Sequence, residues 1–108
     1  MDQNPQAKGQ KINIELNEKE AEGIYSNLAI ITHSPAEFII DFTRVVPGVP
    51  KAKVHARIIT TPQHAKMLLR ALTENIEKFE TKFGEIKLEN HPNAQFGFVS
   101  GDKDKTYN

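Results

Sequence analysis

Apolar and polar residues change their period once along this 108-residue chain. Period two dominates before Thr61 and a helical period follows it. In Lys11–Leu16 (KINIEL), Ile12, Ile14 and Leu16 alternate with Asn13 and Glu15, which predicts a strand with one buried face. The charged stretch NEKEAEG interrupts. GIYSNLAIITHS then predicts a second strand, with Ile24, Leu28 and Ile30 on one face and Tyr25, Asn27, Ala29 and Ile31 on the other. EFIIDFTRVV predicts a third, with Phe38, Ile40 and Phe42 opposite Ile39, Asp41, Thr43 and Val45. These two strands carry apolar groups on both faces, the pattern of strands covered from both sides.

The turns between the strands have a chemical basis. Pro47-Gly48 suits the centre of a type II turn, since proline presets φ and glycine accepts a positive φ. KVHARIITT supplies a fourth strand, with Val54, Ala56 and Ile58 opposite Lys53, His55, Arg57 and Ile59. From Thr61 the apolar positions Ala65, Leu68, Leu69, Leu72, Ile76, Phe79 and Phe83 form one helical stripe. Thr61 is placed to cap the helix, and Pro62 suits its first position, where a missing N–H costs nothing. Lys78 and Lys82 favour the negative end of the helix dipole, and Gly84 stops the helix. A helix over 62–83 is about 33 Å long, enough to cross a small sheet.

The expected organisation is one α+β domain over residues 11–86, with about four antiparallel strands followed by one long helix packed on one face. Residues 1–10 are polar, bury too little to offset ordering, and are expected to be disordered. Residues 87–108 form a polar tail, except for Phe96, Phe98 and Val99. The segment QFGFV fits a short edge strand or a piece that orders on a partner. There is no internal repeat.

Composition narrows the class without choosing a function. The chain is 38% hydrophobic and 26% charged, with 14 basic and 14 acidic side chains, the balance of an ordinary globular protein. No apolar run approaches a membrane span, and MDQNPQAKGQK lacks a secretory core, so a cytoplasmic protein is expected. The zero net charge argues against direct nucleic-acid binding, although Lys51, Lys53, His55 and Arg57 make the fourth strand mildly basic. The absence of cysteine removes disulfides and thiolate chemistry.

Candidate chemistry is thin. His33-Ser34 sits next to Pro35 and a strand, which fits a four-residue turn with serine first and proline second rather than a nucleophile elbow. His33, His55, His64 and His91 lack the i, i+3 or i+4 spacing of metal ligands on a helix. Asp41, between apolar neighbours, is expected to face solvent or to pair with a basic residue on an adjacent strand. The glycines build no phosphate loop. No enzyme signature, cofactor site or metal site is read.

Several motifs carry a resemblance. They are Y-S-N-x-A from Tyr25, H-S-P-x-E-F-x-x-D-F from His33, A-R-I-x-x-T-P from Ala56, and A-K-x-L-L-x-A-L-x-E-N-I-x-x-F-E from Ala65. Over about residues 10–86 the chain resembles a family of short bacterial and archaeal proteins known as domain of unknown function 3467. The family has no assigned catalytic residues to carry over. The resemblance implies an element order similar to SecB-type export chaperones, four strands and then a helix. It also implies an accessory role in transcription, since some bacteria encode members beside the large RNA polymerase subunits.

One helix covers one sheet face. The second apolar row, Tyr25, Ala29, Ile31, Ile39 and Val45, is therefore expected to be exposed in a monomer, which marks an interface. The function expected is a non-enzymatic protein-interaction module associated with RNA polymerase, working as a homo-oligomer or within a complex. Tyr25, Ile31, Ile39, Val45, Phe96 and Phe98 are the candidate partner-binding residues. The alternative is a SecB-like holdase for unfolded chains.

Overall fold

The structure, a computed structural model, describes residues 11–88 and 97–101. Its elements are α1 (Glu18–Glu22), β1 (Leu28–His33), β2 (Phe38–Arg44), β3 (Lys53–Thr60), α2 (Pro62–Phe83) and β4 (Gly97–Ser100). The strands form one sheet in the order β3-β2-β1-β4. β2 runs antiparallel to both β1 and β3, whereas β4 runs parallel to β1. The fold is α+β, a four-stranded sheet with one long helix, and the periodicity predicts the helix and three of the four strands. The sheet is mixed rather than purely antiparallel. β4 arrives after a long helix, and no short hairpin forces it to run against its neighbour.

The first expected strand, Lys11–Leu16, is not one: it has no regular structure and its Ile14 is 91% exposed. Alternation makes a segment competent to pair, but a strand also needs an edge to pair with. The outer edge of β1 is taken by β4, where Gly97 donates to the Asn27 carbonyl (2.7 Å) and Gly101 to that of Ile31 (2.8 Å). Among the described residues, three strands therefore precede α2 and one follows it, which departs from the expected order of four strands and then a helix. QFGFV takes the edge-strand option over its described part. Residues 1–10 and Phe96 lie outside the described residues.

The Ser34 turn sets the register of the central hairpin. The Ser34 N–H donates to the Glu37 carbonyl (2.9 Å), and the Ser34 hydroxyl accepts from the N–H groups of Ala36 and Glu37 (3.2 Å each). This closure places His33 opposite Phe38, Ile31 opposite Ile40 and Ala29 opposite Phe42. One face thus collects Ala29, Ile31, Phe38, Ile40 and Phe42, extended by Ala56 and Ile58 on β3 and Phe98 on β4. The other face carries Ile30, Ile39, Asp41 and Thr43, with Arg57, Ile59 and Val99. The expected row of Tyr25, Ala29, Ile31, Ile39 and Val45 is therefore split. Turn length, which periodicity within a strand does not report, decides which rows share a face.

Among the described residues the buried apolar core is small, Ala29, Ile30 and Ile40, with Asp41 and Thr43 as buried polar residues. Ala29 is fully buried because its two cross-strand neighbours are Phe42 and Phe98, whose rings meet edge to face with centroids 6.0 Å apart. A larger side chain at 29 would separate them.

α2 has the bounds the sequence predicts. The Thr61 hydroxyl accepts from the His64 N–H (3.0 Å), Pro62 opens the helix, and Gly84 ends it at φ 104° with its N–H donating to the Glu80 carbonyl. Val46–Val49 forms the expected turn, with Gly48 at φ 85° and the Val49 N–H donating to the Val46 carbonyl. Among the described residues no helix is long and apolar enough to cross a membrane.

Candidate interaction surface

Four residues that stand out in the sequence have their polar groups engaged within the fold. Ser26 donates to the carbonyls of Leu28 (3.0 Å) and Thr43 (2.9 Å). The Asn27 amide takes both backbone groups of Val45, donating to its carbonyl (3.1 Å) and accepting from its N–H (2.9 Å). An amide side chain here continues the ladder beyond the end of β2. Asp41 is fully buried, and Arg57, directly opposite on β3, donates Nε to Oδ1 (2.7 Å) and Nη2 to Oδ2 (2.9 Å). This fork geometry matches a carboxylate with two parallel bonds. Asp41 thus takes the paired option rather than facing solvent.

The histidines are dispersed. His33 stacks on Phe38 with centroids 5.4 Å apart, His64 Nδ1 lies 2.8 Å from the Thr61 hydroxyl, and His55 sits on β3. His91 is outside the described residues. Among those described, no three histidine or carboxylate side chains gather where a metal ion could be held. The basic set on β3 is smaller than the sequence suggests, because its arginine is committed to Asp41.

The contrast lies on α2. It buries none of its residues, and from Leu68 onward its stripe is open to solvent, with Leu72 53% and Phe83 66% exposed. The first three turns of the helix face the sheet across a cleft of about 500 Å³. Ile31, Phe38 and Ile40 form the floor, Ala65, Leu68 and Leu72 the helical wall, and Lys66 adds a charge. Each wall is apolar for its own reason: the floor by alternation across a hairpin, the helix by its stripe. The two come together because only Thr61 separates β3 from α2. The second half of the helix, with Ile76, Phe79 and Phe83, contributes nothing to the cleft lining.

The candidate partner-binding residues are dispersed relative to this surface. Ile31 lies in the cleft floor, and Phe98 is exposed on the same sheet face. Ile39 is on the opposite face, Tyr25 is exposed ahead of β1, and Val45 is held by Asn27 just after β2. The helical stripe itself, read in the sequence as core, is the surface that was missed. Length could have revealed it, since four strands at about 4.8 Å spacing are much narrower than a helix of about 33 Å.

Residues 1–88 match the family described as Protein of unknown function (DUF3467). The chain belongs to this family. The match contains the central hairpin, the Asp41–Arg57 pair and the whole of α2 with its cleft, while β4 lies beyond its end. Among curated proteins none matches the chain, and no solved structure matches it.

Proposed function

We propose that this member of the family is a cytoplasmic, non-enzymatic protein-interaction module, with the cleft and the stripe of α2 as its anchor. The observation that carries the reading is the apolar stripe from Leu68 to Phe83, which stands exposed beside an apolar cleft. A contiguous apolar surface of this kind is costly in water and is commonly a contact site. The partner implied by the family resemblance is an RNA polymerase subunit. Ile31 in the cleft floor and Phe98 on the same sheet face would add contacts.

A second reading, a holdase for unfolded chains, draws on the same exposed apolar surface rather than on any element order. Affinity purification from native cells separates the two. RNA polymerase subunits at fixed stoichiometry, lost in a Leu69→Asp variant, support the first reading. A broad set of unfolded clients supports the second and removes the first.

A further inference from the structure

From the pattern on α2, we infer that the first occupant of this surface is a second copy of the chain, whose own α2 lies antiparallel against it about a two-fold axis at Leu72. The inference rests on the reading of the helix and cleft as a protein-binding surface, and names what binds there.

Five of the seven stripe residues are symmetric about Leu72: Ala65, Leu68, Leu72, Ile76 and Phe79 are spaced 3, 4, 4 and 3 residues apart, the same in either direction, while Leu69 and Phe83 lie outside that symmetry. In an isologous contact residue i meets j and j meets i, and this spacing sets apolar residues opposite apolar residues. With Leu72 on the axis, Leu68 of each copy lies level with Ile76 of the other, and Ala65 lies level with Phe79. Ala65, the smallest residue of the stripe, thus faces one of the largest, and ridges can interdigitate at normal helix spacing. Ala65 and Pro62 also line the cleft. The Phe79 and Phe83 rings, whose centroids are 5.0 Å apart, would enter that end of the cleft in the second copy.

Charge agrees with the antiparallel direction. Lys66, Thr73 and Glu80 follow at seven-residue intervals along one flank of the stripe. A two-fold axis brings that flank against itself, so Lys66 of each copy lies beside Glu80 of the other, whose Oε2 also accepts from the Ile86 N–H of its own chain (3.0 Å). In a parallel pair opposite flanks meet, and Lys66 and Glu80 stay 14 residues, about 21 Å, apart along the seam. Opposite charges flanking an apolar seam fix the direction of helix pairs.

The absence of native cysteine makes the geometry directly testable. Sedimentation equilibrium of the full chain is expected to give about twice the 12.2 kDa chain mass at micromolar concentration. A monomer at 100 µM overturns the inference. Leu72→Cys should form an inter-chain disulfide under mild oxidation. Ile76→Cys alone should not, because its symmetry mate lies about 12 Å away along the axis, beyond disulfide reach. Mixing Leu68→Cys chains with Ile76→Cys chains should give the mixed dimer, whereas efficient self-linking of Leu68→Cys would indicate a parallel pair and overturn the assignment. Lys66→Glu and Glu80→Lys should each weaken the dimer at least several-fold, and the two together should restore it, with helicity by circular dichroism unchanged throughout. A monomer that still captures a partner through Leu69 sinks this inference and leaves the interaction reading standing. A dimer with no partner polypeptide does the reverse.

Discussion

The central hairpin and α2 are built to different standards of closure. In the hairpin every conspicuous polar group has a job within the fold: Ser34 closes the turn, Ser26 and Asn27 fasten the end of β2, and Asp41 is forked by Arg57. Its one small core residue, Ala29, lets two phenyl rings meet. α2 is closed along its backbone, with a cap at each end, and open along its side chains. Its apolar stripe has the composition of a core and the exposure of a surface. A region that satisfies itself positions other things, whereas a region that leaves a core-like face uncovered is positioned to receive them.

This contrast predicts unequal responses to substitution. Arg57→Met should have the largest effect, about 3 kcal/mol, because it removes the guanidinium fork from a fully buried carboxylate. Urea unfolding measures it, and a loss under 1 kcal/mol would place the weight of the sheet elsewhere. Ala29→Leu should cost about 2 kcal/mol by forcing Phe42 and Phe98 apart. The loss should come with a changed near-ultraviolet signal from the aromatic residues. Thr61→Ala should cost about 1 kcal/mol through the lost cap at the start of α2. Phe83→Ser, at the far end of the stripe, should move the unfolding free energy of dilute, monomeric chain by less than about 0.5 kcal/mol. A large effect on the isolated chain would mean that the stripe already belongs to a core.

Much of this was legible in the residues themselves. The helix bounds follow from Thr61-Pro62 and Gly84, and the Ser34 turn follows from a serine, a proline and the strand that resumes at Phe38. The Asp41 pair was legible as one of two options, since a carboxylate among isoleucines must find a cation or water. The candidate surface was legible in its residue types but not in its place. Ile31 and Ile39 read as one row, and the stripe of α2 read as buried.

The sequence by itself determined local structure: where the period changes, where the helix starts and stops, and which residues turn the chain. Those decisions are made within a few residues by φ preferences, capping bonds and side-chain spacing. Only the tertiary structure decided that Lys11–Leu16 stays unpaired while Gly97–Ser100 takes the edge of β1, and that Ile31 shares a face with Ile40 rather than Ile39. It also decided that α2 stands off the sheet over a cleft. The reason is that alternation and amphipathicity specify that a face must be covered and leave open by what. That choice depends on register, on competition for an edge, and on the reach of a helix longer than the sheet is wide.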